Sequence, residues 1–251
     1  MYLCTAIKYE RIMIVADLIR KKIDSFPAGY VFSLGDFSFE GNEEVALAKM
    51  LSRMAAKGEL QKASRGRYYK PRKTIFGVLG PADEQLVRDL LVKEGKLVGY
   101  VTGTRAFAEM GFTTQISSAL VIGTNKYRRP LMRGGYRVTF MTQENVITEE
   151  NVELLRMLDA VRLIREIPAA TPDETCKMFI GLVRMLPEER RAQLGELALK
   201  YTSYVRAVVG AVLELTGTDA SLLRRSLNWT SSYDLRLSEK VLPNKREWRI
   251  R

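Results

Sequence analysis

The chain has 251 residues, 46% of them hydrophobic and 27% charged, which allows two modest domains around real cores. Forty Lys and Arg against twenty-nine Asp and Glu leave a net charge of +11 and a pI near 9.7, a balance that favours polyanions through phosphate neutralisation and counterion release. Histidine is absent, which removes the commonest acid–base, nucleophile-activating and zinc chemistry and points to binding rather than catalysis, although carboxylate or lysine chemistry stays open.

No apolar run is long enough for a transmembrane helix, and the first residues, MYLCTAIKYER, lack the apolar core of a secretory signal. Cys4 and Cys176 form neither a disulfide framework nor a metal site and read as reduced thiols of a cytoplasmic protein.

Residues 5–24 carry Ile12, Val15, Ile19 and Ile23 on one face of an amphipathic helix that Pro27, Ala28 and Gly29 stop. Tyr30, Val31 and Phe32 are extended, and Ser33 caps a short helical turn around Leu34 to Phe37. A longer helix starts at Asn42, with Glu43 and Glu44 in the first turn where the helix dipole favours acids, and stops at Gly58. Its core face is Leu47, Leu51 and Met54; Lys49, Arg53 and Lys57, four residues apart, form a basic stripe on another face. Glu59 to Ala63 and Arg67 to Lys70 then read as a hairpin with its turn at Ser64 to Gly66.

A helix, a short helix, a basic helix and a basic hairpin are the elements of a winged helix-turn-helix, in order. Residues 1–75 hold fourteen Lys and Arg against eight Asp and Glu, over half of the net charge in under a third of the chain. The expected DNA-binding surface is therefore Lys49, Arg53 and Lys57 with Lys62, Arg65, Arg67 and Lys70 of the hairpin. The bland alternative is a charged face that keeps a helix in solution. Glu43 and Glu44 cut against phosphate unless they meet cytosine amino groups. Tyr68 and Tyr69 are adjacent on a strand, so one should pack inward and the other outward, free to meet a phosphate.

The pattern loosens at 73–81, which sets the boundary between a domain at 1–75 and one at 76–251. In the second, residues 82–94 look helical, 99–111 mix strand and helix, and Leu120 to Thr124 and Tyr136 to Met141 read as strands. Between these strands runs a basic connection, Lys126, Arg128, Arg129 and Arg133 with Arg137 beyond it, a second patch for phosphate or an acidic partner. Helices follow: one capped by Thr148 with Leu154, Leu158, Val161 and Ile164 inward, then PDETCKMFIGLVRML, EERRAQLGELALKY and VRAVVGAVLELTG. The tail, 219–251, is basic and shows no period. The fold expected is α+β: an N-terminal winged helix-turn-helix, then a mixed α/β domain with a helical C-terminal part.

Motifs that carry chemistry are sparse. Neither Gly77 to Gly80 nor Gly99 to Gly103 has phosphate-loop spacing, and Glu149, Glu150, Asp173 and Glu174 read as acids at helix starts. No catalytic residue, metal site or cofactor is expected.

Taken together, PAGYVFSLGDF, ALAKMLSRMAAKGELQKASRGRYYKPRKTIFG, GYVTGTRAFAEMGFTTQ and TNKYRRPL resemble the AbiEi-like antitoxins of bacterial toxin–antitoxin systems. ITEENVELLRMLDAVRLIREIP and LALKYTSYVRAVVGAVLE continue the likeness over residues 10–215. The resemblance implies a winged-helix module that represses its own operon by binding double-stranded operator DNA, joined to a domain that counters a nucleotidyltransferase-like toxin, with or without direct contact. It maps DNA binding onto Lys49, Ser52, Arg53, Lys57, Arg65, Arg67 and Tyr68 and leaves the tail outside. The competing class is an interaction protein whose basic surface sequesters an acidic partner, with DNA binding incidental; an enzyme acting on nucleic acid is the third. No membrane partner is expected.

Overall fold

The structure, a computed structural model, describes residues 16–37, 42–75, 77–228 and 230–251. The expectations for Cys4, Ile12 and Val15 lie outside the described residues. The chain is α+β and divides into two compact units. The first takes the described residues up to Arg88 together with Arg133–Gly135, and the second takes Asp89–Met132 and Tyr136–Arg251.

In the first unit, helix α1 covers residues 16–25 and buries Ile19 and Ile23 to 1% exposure. Strand β1 (Val31–Ser33) leads into a single 3-10 turn at Leu34–Asp36, where the Asp36 carboxylate accepts from the Ser33 amide (2.7 Å) and hydroxyl (3.1 Å). Helix α2 (Asn42–Ala56) follows, with Leu47 and Leu51 wholly buried. It ends in a Schellman arrangement: Gly58 N–H donates to Ala55 O (3.1 Å) and Glu59 N–H to Met54 O (3.0 Å). Gly58 sits at φ +75°, and a Cβ there would meet open space, so glycine is present for its backbone freedom. Strands β2 (Gln61–Ser64) and β3 (Arg67–Tyr69) complete an antiparallel sheet of order β1-β3-β2, with a register shift between Lys62 and Ser64.

Ile19, Ile23, Phe32, Phe37, Leu47, Leu51, Leu60 and Tyr68 form the core of this unit, each such side chain stabilising it by about 1.5–3 kcal/mol through burial. The unit continues past residue 75, where the sequence pattern suggested a boundary, through a second hairpin, β4 (Arg72–Thr74) and β5 (Gly77–Leu79), into helix α3 (Asp83–Leu91). Arg88 shows why. Its guanidinium lies 4.7 Å from the Tyr30 ring centroid and donates to the Tyr30 hydroxyl.

The second unit opens with a two-residue-a-side hairpin, β6 (Val92–Lys93) and β7 (Lys96–Leu97), and then builds a sheet. Strand β8 (Gly99–Thr102) precedes helix α4 (Thr104–Glu109); β9 (Ala119–Thr124), β10 (Leu131–Arg133) and β11 (Tyr136–Thr142) follow. The sheet order is β10-β11-β9-β8. β9 pairs antiparallel with β8 and parallel with β11, Leu120 opposite Val138 and Ile122 opposite Phe140. Strand β10 lies in what the sequence suggests is a plain basic connection; the turn at Gly134 and Gly135 is as expected, both at positive φ.

Helices α5 (Val152–Arg162), α6 (Pro172–Met185), α7 (Glu188–Ala198), α8 (Ser203–Leu215) and α9 (Ser221–Arg225) carry most of the second core. Leu154, Leu158, Val161 and Ile164 are all inside, as their spacing requires. The α5 cap is corrected: Thr148 lies in the turn before the helix, and Asn151 occupies the N-cap, accepting from the Thr148 amide (3.0 Å) and donating to Val146 O (2.7 Å). Thr171 and Glu174 form a reciprocal capping box ahead of Pro172 in α6.

The tail, which shows no period in the sequence, is part of the core. Leu235, Leu237, Leu242, Trp248 and Ile250 are at most 2% exposed and belong to the core. Short extended, turn and 3-10 pieces each deliver one apolar side chain, so no period appears in the sequence. A Cβ on Gly210 of α8 would come within 2.1 Å of the Trp248 ring: the indole packs directly on helix backbone.

Candidate nucleic-acid interface

The basic stripe expected on α2 is present as a surface. Lys49, Ser52 and Arg53 of α2 and Lys57, just past its end, are exposed, whereas Leu47 and Leu51 are buried. Lys49, Arg53 and Lys57, with Arg20 of α1, line a groove of about 510 Å³ between α1 and α2, with Ile19, Met50 and Met54 also in its wall. Asp17 and Glu59 stand at the same groove and reduce its net charge. Glu44, at the start of α2, is exposed.

The hairpin is divided. Lys62 and Arg65 are exposed, and Gly66 at φ +70° makes the tight turn between the strands. Arg67 is half-buried on the central strand. Lys70 is half-buried, and its ammonium donates to Asp24 O (2.9 Å) in the last turn of α1. That ammonium offsets carbonyls left open at a helix C-terminus, so Lys70 ties α1 to the end of β3.

The expectation that one of two adjacent tyrosines faces outward is corrected. Tyr68 is 8% exposed and Tyr69 7%. Alternation along β3 does send them to opposite sides, and both sides of the strand are covered. Tyr68 joins the core of the unit. The Tyr69 hydroxyl donates to Gln61 Oε1, and burial raises its pKa.

The second basic cluster is not gathered into one patch. Lys126, Arg129 and Arg137 are exposed on the second unit. Arg128 is half-buried, its guanidinium 5.8 Å from the Phe140 ring centroid. Arg133 belongs to the first unit and donates to Leu86 O (3.3 Å).

A buried polar network in the second unit escaped the sequence. Asp159 of α5 is 1% exposed and accepts from Tyr100 Oη (2.8 Å), Thr102 Oγ1 (2.8 Å) and Tyr201 Oη (2.9 Å). Gln143 donates to both tyrosine hydroxyls (2.9 and 2.7 Å), and its Oε1 accepts from the backbone and side chain of Asn145. Burial pushes the Asp159 carboxyl up to about 6, against the three hydroxyl donors and the Arg162 charge, which pull it down. Burial and the neighbouring carboxylate drive both tyrosine pKa values well above the usual phenol range. The network locks β8, the end of β11, α5 and the α7–α8 junction together. One signal could have found it: Asp159 follows Leu154, Leu155 and Leu158 on the helix face that carries the core.

The only cysteine among the described residues, Cys176, is buried, its thiol pushed up to about 12 by burial and then by Asp173, so it stays protonated and inert. No group of three or more His, Cys, Asp or Glu among the described residues could hold a metal ion. No helix among them is long and apolar enough to cross a membrane.

Residues 18–181 match the family described as "Family of unknown function (DUF6088)", well over half of the chain. The chain belongs to that family. The match spans α2, the β2–β3 hairpin, the sheet of the second unit, α5 and most of α6. No curated protein matches the sequence. A distant likeness exists to the crystal structure of the RV2827C protein from Mycobacterium tuberculosis, at 14% identity and a TM-score of 0.43, covering 88% of this chain and 82% of that one.

Proposed function

We propose that this protein is the antitoxin of a bacterial toxin–antitoxin system: a transcriptional autorepressor that binds its own operator through an N-terminal winged helix-turn-helix and counteracts a nucleotidyltransferase-like toxin. The observation that carries the DNA-binding half is the run of exposed cations on the first unit, Lys49 and Arg53 on α2, Lys57 just past its end, and Lys62 and Arg65 on the hairpin one glycine later. In this reading α2 lies in the major groove and the β2–β3 hairpin follows the phosphate backbone. Glu44 then meets either a cytosine amino group or the edge of the groove. The antitoxin half is supported by the resemblance of the middle and helical stretches to AbiEi-like antitoxins. The buried Asp159 network gives that half a rigid frame.

The test is binding to its own promoter fragment and to a scrambled fragment across a salt series. Affinity for the promoter should fall steeply with salt, and Arg53→Ala and Arg65→Ala should each flatten the slope by about 0.9, one phosphate contact apiece. Indistinguishable binding to promoter and scrambled DNA, unchanged in both variants, would refute the repressor. The toxin half is read separately: growth of cells expressing the neighbouring toxin gene should be restored by the full chain.

A further inference from the structure

We infer that the loop at residues 125–130 of the second unit is a contact for single-stranded nucleic acid, with Tyr127 stacking on an unpaired base and Lys126 and Arg129 on the flanking phosphates. The Tyr127 ring is 81% exposed, yet the backbone that carries it is fastened on both sides. Before it, the Thr124 hydroxyl donates to Lys126 O (2.7 Å), and the Asn125 amide donates to the carbonyls of Gln143 (2.7 Å) and Asn145 (2.6 Å). Gln143 and Asn145 are themselves 4% and 3% exposed members of the Asp159 network, so the loop is pinned to a buried, hydrogen-bonded part of the unit. After it, Arg128 lies over the Phe140 ring. A single exposed aromatic is ordinary in itself; one held on a braced loop between cations is pre-organised for a flat ligand.

The charge around it selects the ligand. The loop itself, residues 125–130, carries three cations, Lys126, Arg128 and Arg129, and no carboxylate. Lys126 and Arg129 are exposed, and among the described residues no carboxylate pairs with either. Duplex DNA keeps its bases stacked and presents only their edges, which are read by a helix or a two-stranded ribbon rather than by a lone ring. An unpaired base opens its π-face, and aromatic stacking beside a cationic backbone track is how single strands are held without sequence preference. An acidic protein surface would use the cations but leave the ring without a role.

This site is independent of the operator-binding reading, and the experiment separates them. The full chain is titrated against a labelled oligothymidylate of about twenty nucleotides, with the promoter duplex in parallel. Tyr127→Ala should weaken oligothymidylate binding about tenfold while Tyr127→Phe, which keeps the ring, stays within about twofold. Lys126→Ala with Arg129→Ala should flatten the salt slope by roughly 1.4, the single-strand value for two phosphates. Duplex binding should ignore Tyr127→Ala and respond to Arg53→Ala. No binding to the oligothymidylate, or equal binding by wild type and Tyr127→Ala, overturns the inference, whatever the duplex result.

Discussion

Asp159 sets the pH behaviour of the second unit. In the unfolded chain its carboxyl titrates at its ordinary value near 3.8; in the fold burial raises it to about 6. Between those two values the native state holds a proton that the unfolded state has lost, so stability falls as pH rises through that window. About two pKa units correspond to roughly 2–3 kcal/mol. Urea unfolding midpoints should drop between about pH 4 and pH 6.5, and Asp159→Asn should remove that slope. Equal slopes in the two proteins would contradict the assignment. Glu214 works in the opposite direction. Burial pushes its pKa up, but hydrogen bonds from Trp248, Asn244 and Arg224 and the Arg224 charge outweigh this and hold it low. Its contribution is present above its ordinary range and fades only in stronger acid, so it does not mask the Asp159 window.

At the scale of elements, α8 offers the clearest contest between two effects. Replacing a mid-helix glycine by alanine ordinarily stabilises a helix by up to about 1 kcal/mol. At Gly210 the new methyl would come within 2.1 Å of the Trp248 ring, which is 1% exposed and held by Nε1 donating to Glu214 (2.7 Å) and by Arg224 over its face at 4.4 Å. The indole has nowhere to move, so the clash wins. Gly210→Ala should destabilise the protein by about 2 kcal/mol or more and lower the thermal midpoint by roughly 5 °C. An unchanged or higher midpoint would mean the tail can lift off α8. The two hairpin lysines of the first unit differ likewise: Lys62 is exposed, as the proposed DNA contact requires, whereas Lys70 closes the C-terminal end of α1.

For the whole molecule, the tail decides whether the second unit exists. A chain ended after Thr218 loses Leu223, Leu235, Leu237, Leu242, Trp248 and Ile250, all at most 2% exposed in the fold. Each such loss costs about 1.5–3 kcal/mol, so the six together cost roughly 9–18 kcal/mol, as much as the 5–15 kcal/mol by which domains are ordinarily stable. The shortened chain should give no cooperative melt and rapid proteolysis of the second unit. A native-like melt would show that the tail is dispensable.

Local chemistry alone determined much of this. The helices follow from apolar spacing, as at Leu47 and Leu51 or Leu154, Leu158 and Val161, and the stop at Gly58 from a positive φ that glycine alone adopts freely. The exposed stripe of Lys49, Arg53 and Lys57 was equally legible, because a helix with one apolar face must turn its charges outward. What depends on partners far along the chain was not. Tyr68 and Tyr69 are both inside because both faces of their strand are covered, which no alternation rule contains. The Asp159 network joins groups forty to sixty residues apart in sequence. The tail becomes core only where Gly210 leaves room for Trp248. Period and capping are properties of neighbouring residues, whereas burial of a lone polar or aromatic side chain is decided by which distant surface closes over it.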